Sequence, residues 1–100
     1  MRFNLATREA KVTSIRIECE IPYVKSPFKY NTKRSIEPKD WDFKKGRPRN
    51  IRGDGGKRNR EITNILNQYV TAVQRIKDLY GEALTADKLK KSLDSYFKVN

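Results

Sequence analysis

Residues 14 to 21, SIRIECEI, alternate without a break: Ile15, Ile17, Cys19 and Ile21 hold one parity, and Ser14, Arg16, Glu18 and Glu20 the other. Successive side chains of an extended strand point to opposite faces, so the segment reads as a strand with one dry flank and one wet flank. A helix would repeat its apolar positions every three or four residues and does not fit. A slip of one residue would invert every side chain, so this pattern also constrains the register of any strand that pairs with it.

Two neighbours share the period. In RFNLATR, residues 2 to 8, Phe3, Leu5 and Thr7 alternate with Arg2, Asn4, Ala6 and Arg8; further on, Phe28, Tyr30 and Thr32 alternate with Lys29, Asn31 and Lys33, predicting a third strand that ends near Arg34 or Ser35. Between the second and third, IPYVKSP carries Pro22 and Pro27 and reads as a loop or wide turn. Three short strands, each apolar on one side, predict an antiparallel sheet whose dry face something else must cover. The cover lies downstream. From Arg60, the residues Ile62, Ile65, Leu66, Tyr69, Val70, Val73, Ile76, Leu79 and Tyr80 follow helical spacing, with Asn59 as the expected N-cap and Gly81 as the stop. A shorter helix is expected from Thr85, with Asp87 in its first turn and Leu89, Leu93, Tyr96 and Phe97 on one side. The fold class is therefore α+β: a three-stranded antiparallel sheet packed against a long C-terminal helix, plus a second short helix.

Charge is unevenly placed. The chain of 100 residues carries a formal +11, and residues 25 to 60 hold thirteen Lys/Arg against four Asp/Glu, whereas the flanking segments are each near neutral. A concentrated surplus of this kind attracts polyanions. The basic segment has no amphipathic helical pattern, which favours nucleic acid over a membrane surface. No apolar run approaches the ~18 residues of a membrane span, and the expected location is the cytoplasm. Residues 44 to 58, KKGRPRNIRGDGGKR, lack any period and read as a mobile basic loop.

Catalysis finds little support. The chain has no histidine and one cysteine, which removes Cys/His metal clusters and Cys-His nucleophile pairs; Cys19, at strand spacing among isoleucines, reads as a core residue. Asp40 and Asp42 flank Trp41 and are expected to cap local backbone N–H groups rather than act as an acid/base pair. GDGGK at 53 to 57 lacks the spacing of a phosphate loop and reads as a flexible turn. Trp41, just after the turn that Pro38 sets, is expected to close the end of a thin core. Neither a cofactor nor a metal is expected.

Binding chemistry is better represented. With the dry face covered, the opposite face presents Arg2, Asn4, Arg16, Lys29, Asn31 and Lys33, side chains that can read guanine or adenine in a major groove. Lys44, Lys45, Arg47, Arg49 and Arg52 in the loop are the expected phosphate contacts. Glu18 and Glu20 share the polar face and would repel phosphate unless paired with neighbouring cations. Two other readings fit the composition: an RNA- or single-strand-binding module, if Phe28, Tyr30 and Trp41 are exposed for stacking, and a protein-interaction domain whose basic loop only solubilises it.

The initial FNL, the strand IRIECEI, the stretch PFKYNTKRSIEPKDWDFKKGRP and the helix EITNILNQYVTAVQRI together resemble the N-terminal arm-type DNA-binding domain of tyrosine recombinases, the integrases of phages and mobile elements. Pro38 with Trp41 is the firmest point. The resemblance implies a three-stranded sheet against a helix, bound in the major groove of double-stranded DNA at arm-type sites. It places the cleaving tyrosine in a separate C-terminal domain, so none of the five tyrosines here takes that role. It also implies a DNA-binding domain over residues 1 to 83, a second helix at 84 to 100 leading into a core-binding domain, and contact with other recombinase protomers through domains absent here. The family often has Thr-Gly at the end of the third strand; here Thr32 is followed by Lys33 and Arg34.

Overall fold

The computed structural model describes residues 1–50 and 53–97. Strands β1 (Arg2–Leu5), β2 (Thr13–Cys19) and β3 (Phe28–Ile36) form one antiparallel sheet in the order β1-β2-β3. A two-stranded hairpin follows, β4 (Trp41–Asp42) with β5 (Arg47–Pro48), and then helices α1 (Asp54–Tyr80) and α2 (Ala86–Tyr96). The architecture is α+β, as the periods imply.

Register decides which side is dry. Phe3 lies opposite Ile17, which lies opposite Tyr30, and Cys19 lies opposite Phe28, so one parity of all three strands shares a face. On that face Phe3, Ile15, Ile17 and Cys19 are buried in a single cluster with Ile62, Leu66, Tyr69, Val73 and Ile76 of α1. Burying each large side chain of this kind contributes roughly 1.5–3 kcal/mol, which is what holds so small a sheet to its helix. Helix α2 joins the same cluster through Leu89 and Leu93, and the Phe97 ring stacks on Tyr69 with centroids 3.8 Å apart. The expected division at residue 83 thus separates elements that share one core. Thr85 caps α2 by accepting the Lys88 N–H, and Gly81, at φ 53, ends α1.

Several boundaries differ from the expectation, each for a local reason. Strand β1 stops at Leu5 rather than Arg8, because the buried Thr13 hydroxyl accepts the Thr7 N–H and turns the chain away. Helix α1 begins at Asp54, inside the segment expected to be a mobile loop. Asn59 is therefore an internal helical residue, not an N-cap; its side-chain amide donates to the Arg49 carbonyl at 2.9 Å and ties the first turns to the end of β5. Two glycines so early in a helix cost about 1 kcal/mol each, which is why propensity hides this start and a tertiary bond is needed to reveal it. Val70 and Leu79, placed on the apolar stripe by spacing, are exposed.

Strand β3 contains an excursion. Arg16 pairs with Asn31, but Ser14 pairs with Ser35, so two extra residues, Lys33 and Arg34, leave the ladder. Lys33 takes φ 60, the left-handed region a glycine enters without strain, at the position where the resembled family often has one. The turn is held by its neighbours: the Asn31 side-chain oxygen accepts the Lys33 N–H, and the buried Thr32 hydroxyl donates to the Ile15 carbonyl while accepting the Arg34 N–H. After an even step the strand resumes with Ile36 in the core.

Pro38 opens a single 3-10 turn, Pro38–Asp40, that delivers Trp41 to the cluster, where it is 1% exposed. Replacing Trp41 with Ala should cost about 3–5 kcal/mol, a large share of what a domain this size can spare, and a urea melt should show the midpoint falling accordingly. Tyr30 supports a second expectation. Its partial burial and the bond its hydroxyl donates to Asp94 hold its pKa above the ordinary tyrosine value. The folded chain thus keeps a proton that the unfolded chain releases near pH 10; the stabilisation is complete below that pH and is lost as pH rises toward the folded value. Thermal melts between pH 8 and 11 should show an alkaline decline that is shallower in Tyr30→Phe.

Candidate nucleic-acid interface

The flank of the sheet turned away from α1 is built from the other parity. Its residues fall into two cross-strand rows: Arg2, Glu18 and Lys29 in one, and Asn4, Arg16 and Asn31 in the next. Arg2, Arg16, Lys29 and Asn31 are exposed, while Asn4 is half-buried. Lys33 is exposed as well, but it projects from the excursion rather than from a ladder row. Among the expected reading residues, five therefore share a ladder face and Lys33 stands at its edge.

Glu18 sits low in its row. Its Oε2 accepts from Arg2 Nε at 2.7 Å and its Oε1 lies 3.8 Å from Lys29 Nζ, so the carboxylate expected to pair across the sheet does so with both neighbours. Glu20 lies beyond the end of β2 and is exposed.

The basic segment is more ordered than its composition suggests. Asp42 accepts the N–H groups of Lys44 and Lys45 on one side-chain oxygen, at 3.0 and 3.1 Å, and so performs the capping expected of it; Asp40 contributes its backbone carbonyl, which accepts the Arg49 N–H. Gly46, at φ 65, closes the turn against β1, where a Cβ would lie 3.2 Å from the Phe3 carbonyl oxygen. Beside it the Arg47 guanidinium lies 4.4 Å from the centroid of the Phe3 ring, and burial lowers its pKa from the ordinary value. Arg49 donates through Nε to the Trp41 carbonyl. Arg47 and Arg49, expected as phosphate contacts, thus also brace the hairpin, whereas Lys44 and Lys45 are exposed at its tip. Arg52 lies outside the described residues. Lys57 and Arg58 extend the positive surface on the first turns of α1.

These packings bring hairpin and sheet together. The tip residues Phe43, Lys44 and Lys45 form one wall of a groove of about 480 Å³ whose other wall is the outer sheet face at Arg2, Asn4 and Arg16, with Arg8 between them. Arg8 stacks over the Phe43 ring at 4.9 Å. Sequence reading leaves Arg8 and Phe43 out, because their meeting depends on the hairpin folding back over β1. The aromatic residues needed for base stacking are placed differently: Trp41 is buried, and Phe28 and Tyr30 face the core side of the sheet. Among the described residues, no group of three or more acids, Cys or His is arranged to hold a metal ion, and no helix is long and apolar enough to cross a membrane.

Gly46→Ala should destabilise the chain by about 1–2 kcal/mol, since an L side chain disfavours the left-handed φ and the Phe3 backbone leaves no room to relax. A chemical-denaturation series of Gly46→Ala against the unmodified chain checks this.

No curated protein and no solved structure matches the chain. A family model described as Arm DNA-binding domain matches residues 9–90, from the β1–β2 connection to the middle of α2. With most of its length covered by that match, and with an uncovered cationic sheet face beside a basic hairpin, the chain belongs to the arm DNA-binding domain family, the non-catalytic DNA-binding module of integrases.

Proposed function

We propose that this chain is the duplex-binding module of a site-specific tyrosine recombinase, holding the enzyme at arm-type sites on a mobile element while the cleavage chemistry resides in other domains. The observation that carries the reading is the outer sheet face, where Arg2, Asn4, Arg16, Lys29 and Asn31 stand in two rows with no helix over them. The sheet's three strands measure about 10 Å across at the usual strand spacing, a fit to a major groove ~12 Å wide. In this reading Asn4, Arg16, Lys29 and Asn31 meet base edges, and the rim meets phosphates. Lys44 and Lys45 serve one wall of the groove from the hairpin tip, with Arg47 and Arg49 behind them; Arg52, which follows in the chain, is proposed as a further phosphate contact. Lys33 serves the other wall from the excursion in β3. Partner protomers would be met through other domains of the recombinase.

Single-strand binding by stacking has less support, because Phe28, Tyr30 and Trp41 are engaged in the core. A purely solubilising role for the basic residues makes a different prediction about salt. Neutralising n phosphates gives log affinity for duplex DNA a slope near −0.9n against log salt.

A fluorescence-anisotropy titration of a labelled duplex at several salt concentrations, with sites enriched from a random duplex pool, tests the reading. Lys29→Ala and Asn31→Ala should weaken binding to the enriched site by about 5- to 150-fold; both should still melt cooperatively, with Asn31→Ala at a somewhat lower midpoint because it also loses the bond to the Lys33 N–H. Joint neutralisation of Lys44, Lys45 and Arg47 should lower affinity for all duplexes alike and flatten the salt slope. Absence of any salt-dependent duplex binding by the unmodified chain would overturn the reading.

A further inference from the structure

An acid on the outer sheet face is unexpected in a surface whose partner is a polyanion, and its geometry gives it a task. Glu18 lies on the middle strand with Arg2 and Lys29 on either side, and its side chain is 16% exposed against 59% and 57% for theirs. It therefore sits beneath the two cations rather than beyond them. The Arg2 bond is made through Nε, at 2.7 Å. A guanidinium held at that corner keeps its terminal pair of nitrogens for another partner, and that pair is the fork that matches two acceptors at once. On the edge of a base pair in the major groove, the matching acceptors are O6 and N7 of guanine.

From this geometry we infer that Arg2 is a guanine-reading side chain and Glu18 its positioning residue, which holds the fork in orientation and withdraws Arg2 and Lys29 from indiscriminate phosphate contact. The inference rests on the proposed binding of duplex DNA through the sheet face. Charge distribution supports it independently of the single bond. The Arg2–Glu18–Lys29 row carries a carboxylate between two cations, which disfavours phosphate along that row, whereas Lys44 and Lys45 at the hairpin tip are exposed with no acid paired to them among the described residues. A row arranged this way suits base edges better than backbone. Specificity is a difference of affinities, and a carboxylate that penalises the wrong contact enlarges that difference. Arg2 precedes the segment that the family model matches, so nothing in the match assigns it this role.

The test compares sites enriched from a random duplex pool by the unmodified chain, Glu18→Gln and Arg2→Lys, with affinities measured for the enriched site and for a scrambled duplex. A bidentate guanine contact discriminates by about 5- to 150-fold. Arg2→Lys, which keeps the charge and replaces the planar fork with a single ammonium, should weaken the guanine preference at one position and leave the other positions intact. Glu18→Gln should weaken the same preference at the same position and raise affinity for the scrambled duplex several-fold at low salt. Circular dichroism melts establish that both variants are folded. Should the unmodified chain enrich a defined site while both variants enrich the same site with the same preferences, the inference is overturned and duplex binding stands. If the unmodified chain binds no duplex, it is the underlying reading that fails.

Discussion

A sheet of three short strands cannot stand alone, and the structure depends on one flank of it being sealed by α1. Ile15 and Ile17 at the centre of β2 share one buried cluster with Leu66, Val73 and Ile76 of α1, and the parity this burial imposes sets which side chains the sheet shows outside. Since side chains alternate along a strand, committing the isoleucines to the interior commits Arg16 and Glu18 to the exterior. The cationic face is thus a geometrical by-product of the core. A change that loosened the core would also disarrange the face, because the two are the same three strands seen from opposite sides.

The hairpin is a second layer of organisation built on the first. It is fastened by the burial of Trp41 and by small, specific contacts: the Asp42 carboxylate over two N–H groups, the Arg47 guanidinium on the Phe3 ring, and the Asn59 amide on the Arg49 carbonyl. Several of its basic residues consequently have two occupations. Lys44 and Lys45 present charge at the tip, while Arg47 and Arg49 use part of their donor capacity to keep that tip in place. The charge that makes the segment conspicuous in the sequence is in part the material of its own fold.

Much of this was legible beforehand. Period-two alternation in SIRIECEI and its neighbours yields the three strands, their outer face and the burial of Cys19, because each strand has one clean dry side. The cap at Thr85 and the burial of Trp41 follow from equally local signals. What escaped was non-local. The first turns of α1 contain two adjacent glycines, and the Asn59 amide ties those turns to the Arg49 carbonyl; residue spacing does not announce a side-chain bond of that kind. The groove beside β1 was hidden for the same reason, since Arg8 and Phe43 are 35 residues apart in the chain and adjacent only after the hairpin folds back. Exposure of Leu79 shows the converse limit: spacing assigns a stripe, but the width of the covered surface is set by what lies opposite.

The departure of Lys33 and Arg34 from the ladder has a consequence of its own. Because the detour uses two residues, it leaves the handedness of facing undisturbed, and Ile36 returns to the interior as if nothing had intervened. Length at this point of the chain can vary: an even step keeps the alternation as it stands, while an odd step must be absorbed by a bulge, in which two residues oppose one, if Ile36 is to stay inside. The margin that such growth would enlarge is the rim of the exposed flank beside Asn31, so the reach of that rim can vary while the interior stays constant.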